Sequence, residues 1–114
     1  MVNIYNDLEE VTGLIAYQQG TVPKEMPESY VTVWNTSSLD NLNANNKTIS
    51  VEYEFTVIYY TTDWKNIYTK TEEMISLLKA KGYVIDGRGF DIDSGMEDYV
   101  ARCIEVSKIE KLED

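Results

Sequence analysis

The sequence has no histidine and a single cysteine, Cys103, among its 114 residues. Without imidazole, the Ser-His-Asp and Cys-His constellations are excluded, along with histidine-containing zinc sites and the commonest general base. One thiol makes neither an intramolecular disulfide nor a thiolate zinc site. Cys103 falls in an apolar strand pattern, where a reduced cysteine behaves as a small buried hydrophobe and fits a reducing compartment. Basic residues are also scarce: 10 Lys and Arg stand against 20 Asp and Glu, a formal net charge of −10. Affinity for nucleic acid or an anionic membrane depends on Lys and Arg, so both partners are disfavoured. No segment approaches the ~20 apolar residues of a membrane span, and Met1–Leu8 lacks the basic start and apolar run of a signal peptide. The expected location is the cytoplasm.

What is present suits one small soluble domain over residues 1–114, with a charged tail at 110–114 expected to fray. The hydrophobic fraction is 43% and there are nine tyrosines, a residue suited to half-buried strands and to interfaces. Ile4, Leu8, Val11, Leu14 and Ile15 carry the spacing of an amphipathic helix over Asn3 to Gln19, with Gly20 as its stop and Gly13 as a weak point inside it. Tyr30–Asn35 reads as a strand, followed by an asparagine- and serine-rich loop over Thr36–Lys47, the expected mobile segment. Thr48–Thr61 alternates as a strand facing the core on one side only, until Val57-Ile58-Tyr59-Tyr60 turns apolar on both faces. Either a helix and a second layer cover that stretch, or another subunit does.

Asp63 is placed to cap a second helix from Trp64 to Lys81, with Ile67, Thr71, Met74, Ile75, Leu77 and Leu78 as its stripe. A short strand at Tyr83–Asp86, a hairpin turn at Gly87-Arg88-Gly89, and a last strand at Asp98–Ile109 complete the chain. The expected fold is α+β: a mostly antiparallel sheet of about four strands, with two helices packed on one face, in the order α-β-β-α-β-β.

Candidate chemistry is thin. Asp86, Asp91, Asp93, Glu97 and Asp98 lie close in sequence, and Asp91-x-Asp93-x-Gly95 begins like a calcium loop. Met96 then stands where a glycine is needed and Arg102 where a glutamate is needed, so a solvated acidic turn is the preferred reading. Glu52 and Glu54 share a strand face and read as solvated. No catalytic residue, cofactor or metal ligand is assigned. Trp64 is either a core anchor at the helix start or an exposed interface anchor.

The series Pro27-Glu28-Ser29-Tyr30-Val31-Thr32-Val33-Trp34, then Val51-Glu52-Tyr53-Glu54-Phe55-Thr56-Val57-Ile58-Tyr59-Tyr60, the helix at Lys65–Lys81, the exit Lys81-Gly82-Tyr83 and the strand Tyr99–Ile109 resembles the tail-terminator, or tail-to-head joining (tail completion), proteins of long-tailed phages and prophage minor virion proteins. The resemblance spans residues 2–109 and rests on pattern. It implies a non-enzymatic virion structural protein that forms a homo-oligomeric ring, typically a hexamer, between tail-tube and head-connector subunits. It also implies subunit contacts on the Thr36–Lys47 loop, with Asn43 and Asn45, and on the Arg88–Met96 segment, with Arg88 and Phe90. Tyr59 and Tyr60 join Trp64 as candidate interface residues. The alternatives are a small acidic inhibitor that mimics nucleic acid toward a basic partner, and a carboxylate-dependent enzyme using the Asp86–Asp98 cluster.

Overall fold

The computed structural model describes residues 2–21, 24–44 and 47–112, with the backbone alone for 41–44 and 47–49. Helix α1 (Ile4–Thr12) leads to strands β1 (Ala16–Gln18), β2 (Ser29–Ala44) and β3 (Lys47–Thr61). Helix α2 (Ile67–Ala80) follows, then β4 (Val84–Ile85), β5 (Phe90–Ile92) and β6 (Val100–Lys111). The chain is α+β, with two helices and one mixed sheet of six strands in the order β1-β2-β3-β6-β4, β5 also pairing with β6. This corrects the expected four-stranded, mostly antiparallel sheet and its α-β-β-α-β-β order: β1 and β5 are added strands, and β1 runs parallel to β2.

Each departure has a local cause. The Asn3 side chain caps α1 by accepting from the Asn6 N–H at 3.2 Å. Gly13 ends the helix with φ 69°, its N–H donating to the Glu9 carbonyl at 2.9 Å. A glycine in the left-handed region is a helix stop, so Gly13 does the work expected of Gly20 and releases Ala16–Gln18 to pair with Val31–Val33. The expected Thr36–Lys47 loop is largely strand. Asn35 donates from Nδ2 to the carbonyls of Ser37 and Glu54, and Ser38 donates to Asn35 Oδ1. These side chains hold register shifts between Asn35 and Ser37, with more beyond Asp40, where bulges absorb the extra residues. Asn45 lies outside the described residues. Asn66, rather than Asp63, is the N-cap of α2; Asp63 instead accepts from the Asn66 amide at 2.8 Å.

Both helices cover one face of the sheet. Ile4 and Leu8 of α1, with Ile67, Met74, Ile75 and Leu78 of α2, pack on Val31, Val33, Phe55, Val57, Tyr59, Ile85, Ile104 and Val106. Strand alternation turns Tyr30, Ile58, Tyr60 and Ala101 to the other face, where a second cluster forms with Tyr17, Ile92, Met96 and Tyr99. The chain itself therefore covers both faces of Val57–Tyr60. β6 runs past Ile109 to Lys111, paired with β3, and the Val2 N–H donates to the Glu110 carboxylate at 3.1 Å.

Gly87-Arg88-Gly89 does not form the expected hairpin. β4 and β5 both pair with β6, at Val106–Ser107 and at Ala101–Cys103, so the turn steps the chain along one edge. Gly89 has φ +84°, and a Cβ there would meet Ile104 Cγ2 at 2.8 Å and the Cys103 carbonyl at 2.9 Å. Gly13 has open space around it. Gly89→Ala is therefore expected to cost roughly 3 kcal/mol, a left-handed backbone penalty plus overpacking, against about 1 kcal/mol for Gly13→Ala. Urea unfolding of the two variants checks the order. Thr32 is 2% exposed and its hydroxyl has no hydrogen-bond partner among the described residues. Thr32→Val keeps the shape and is expected to stabilise by about 1 kcal/mol in the same assay.

Candidate interaction surfaces

The expected interface residues separate into three groups. Tyr59 and Tyr60 are 6% and 8% exposed and belong to the two core clusters. Trp64, just ahead of α2, is 63% exposed. The Lys65 ammonium sits 5.6 Å from its ring centre. Phe90 is half exposed and Arg88 exposed, the latter ion-paired with Glu72. Asn43 contributes its backbone to β2 opposite Thr48. The structure does not bring these residues to one place: Phe90 pairs with Cys103 on the helix-free face, whereas Trp64 lies at the start of α2.

Trp64 stands at the mouth of an open groove of about 520 Å³ lined also by Tyr68, Asp91, Met96 and Tyr99. Arg102 holds one wall. Its Nη1 donates to Asp91 Oδ1 at 2.8 Å, and its Nη2 donates to the Arg88 and Gly89 carbonyls at 3.1 Å. The guanidinium carbon lies 4.9 Å from the Tyr68 ring centre, and the Tyr68 hydroxyl donates to Asp91 Oδ2 at 2.8 Å. The Tyr68 hydroxyl and then Arg102 hold the Asp91 carboxyl below its ordinary range. Asp91 is thus a structural acceptor. Asp93 accepts from the Gly95 N–H at 2.8 Å. Among the described residues no group of three or more Asp, Glu or Cys side chains is placed to hold a metal ion. Cys103 is buried, and burial followed by the nearby Glu105 pushes its thiol up.

A second surface is an edge. β1 covers β2 only at Val31–Val33, so β2 has no outer neighbour from Trp34 to Ala44 among the described residues. Unpaired N–H and C=O groups along an edge are a template for another chain, and bulges restrict which chain fits. Trp34 and Leu39, both more than half exposed, sit on this edge. Sequence reasoning missed it because the serines and asparagines there read as loop.

Part of the acidic charge is paired locally. Lys81 meets Glu10 at 2.9 Å and Asp7 at 3.9 Å, while Arg88 meets Glu72 and Arg102 meets Asp91. Matched against protein-family models and against curated proteins, the chain has no counterpart in either comparison. No helix among the described residues is long and apolar enough to cross a membrane.

The tyrosine cluster behind the groove makes stability depend on alkaline pH. Tyr30 stacks on Tyr60 at 4.9 Å and meets Tyr17 and Tyr99 edge-on at 6.0 and 5.9 Å. Burial, then the neighbouring Tyr60 and Tyr99, pushes its hydroxyl up to about 12. Unfolded tyrosine titrates near ~10, so the unfolded chain loses this proton first. The stabilisation is complete below about pH 10 and is lost as pH rises through about 12. Tyr83 moves the same way, through burial and its 2.6 Å hydrogen bond to Asp7. Tyr30→Phe is expected to flatten the alkaline decline in that window, measured by urea unfolding at a series of pH values.

Proposed function

We propose that this chain is a non-enzymatic structural protein of a phage or prophage virion, a tail terminator or tail-completion component that assembles into a ring and joins tail-tube to head-connector subunits. The observation that carries the reading is the open β2 edge from Trp34 to Ala44, set toward the opposite end of the molecule from Trp64. β3 leads from the tip of the β2–β3 arm at Lys47 to Thr61, and Trp64 follows directly. The long axis measures 53 Å against 27 and 22 Å for the others. Two different contact surfaces at the two ends of an elongated subunit suit a heterologous, head-to-tail interface, which closes into a ring when the rotation allows. An edge strand recruits a neighbour by backbone hydrogen bonds, and an exposed tryptophan beside a groove supplies an anchor. A hexamer is the ring size implied by the family resemblance. The virion location follows from the same reading, with synthesis in the cytoplasm.

Light scattering over a concentration series, alone and with tail-tube protein, together with electron microscopy of the mixture, tests this assembly. Trp64→Ala is expected to weaken self-association about 30-fold, the effect of an interface hot spot. The unfolding midpoint is expected to hold, because the ring is 63% exposed. A chain that stays monomeric throughout and binds neither tube nor connector sinks the proposal.

A further inference from the structure

Among the described residues, the face of the sheet opposite the helices is covered mainly at one end. Tyr30, Tyr60 and Ala101 lie beneath the Met96–Tyr99 segment at one end. At the other end, the register places Trp34 opposite Thr56 and Glu105, and Leu39 opposite Glu52 and Ile109. Glu54 and Ser107 fall between those two rows, with Val84 beside Ser107. Carboxylates therefore occupy the two middle strands, β3 and β6. Trp34 and Leu39 flank them on β2, Val84 on β4 and Ile109 on β6, each of the four more than half exposed.

We propose that this half-face docks a basic amphipathic helix of a different protein, with Lys or Arg over Glu52, Glu54 and Glu105 and apolar side chains over Trp34, Leu39, Val84 and Ile109. Three considerations select that occupant. No basic side chain among the described residues is ion-paired with the three glutamates. Lys111, at the far end of β6, is the one basic residue of these strands whose described position falls on this face. A second copy of this chain would set glutamate against glutamate on a protein of net charge −10, and like charges across an interface oppose docking. The four adjacent strands that carry these residues span about 14 Å between their outer axes, room for one helix of about 10–12 Å diameter. Long basic side chains also cover apolar surface with their stems while their heads reach carboxylates. A helix seated here would make a second helical layer on a sheet that already carries one on its other face.

The inference rests on the reading that this protein works by docking, and it is separable from ring formation. The test uses the Trp64→Ala chain, in which Trp34 is the only remaining tryptophan of the two. The probe is a synthetic amphipathic peptide of leucine and lysine, about 18 residues long, titrated against Trp34 fluorescence at low and high salt. The expected result is saturable binding with a blue shift. It should weaken about 10-fold or more in the Glu52→Lys, Glu54→Lys, Glu105→Lys variant. The matched variant Glu25→Lys, Glu28→Lys, Glu73→Lys changes the net charge equally at exposed positions elsewhere and is expected to bind nearly as the parent does. Equal losses in the two triple variants, or an unshifted Trp34 spectrum, overturn the proposal. Because the ring test depends on Trp64, binding in this background upholds the docking face whatever the ring test returns.

Discussion

Val57, Ile58, Tyr59 and Tyr60 impose the constraint from which the other elements take their places. Apolar side chains on both faces of one strand require cover from both sides, and each large one withdrawn from water is worth about 1.5–3 kcal/mol. Val57 and Tyr59 are met by α1 and α2 across Val31, Val33, Ile104 and Val106. Ile58 and Tyr60 are met by the tyrosine cluster and by Met96. The second cover is an irregular segment rather than a helix, and polar contacts tie it down. The Tyr99 hydroxyl donates to the Pro27 carbonyl at 2.6 Å, and Ser94 Oγ donates to the Met96 and Tyr99 carbonyls at 2.9 and 2.6 Å.

That constraint was half legible in the sequence. The apolar run announced that two covers were needed without saying whether the second came from this chain or from another subunit, because a strand's own residues do not identify what lies on them. The stripe of α2 was readable for a physical reason: Ile67, Thr71, Met74, Ile75 and Leu78 recur at the helical period and are buried, whereas Leu77, also expected in the stripe, is exposed. In β6, alternation turns Ile104 and Val106 toward the helices and Ala101 and Cys103 away.

The failures lie where a local signal had two readings. Gly13 lowers helix propensity wherever it sits, yet only its φ of 69° shows that it ends α1. Without that stop, the three residues of β1 remained inside a helix and the parallel pairing could not be inferred. Serine and asparagine after Asn35 compete for backbone hydrogen bonds, which favours turns. Here the same bonds close within a bulged strand, Asn35 reaching the carbonyls of both Ser37 and Glu54. Trp64 was left between core and surface because a tryptophan beside a capping position fits either, and the start of α2 at Ile67 leaves it outside. The glutamates of β3 read as a wet strand face, which they are. What one strand could not disclose was the company of Trp34, Leu39, Val84 and Ile109, contributed by strands distant in sequence.

The sheet is therefore asymmetric along its length, and the asymmetry bears on how the protein works. At the end marked by Tyr30, Tyr60 and Ala101, the chain's own segments cover both faces of the sheet. Toward the β2–β3 arm, an outer edge without a neighbour among the described residues and a helix-free face with exposed apolar residues around carboxylates are left together. A chain selected only to fold would gain by replacing Trp34, Leu39, Val84 and Ile109 with polar residues, since contiguous exposed apolar area promotes indiscriminate association. The bulges on β2 already restrict which strand can join the edge, and the three glutamates repel a second copy from the helix-free face. Devices that suppress wrong contacts beside a surface that keeps its apolar side chains are what selective docking requires. The covered half supplies the stability that lets the uncovered half remain open.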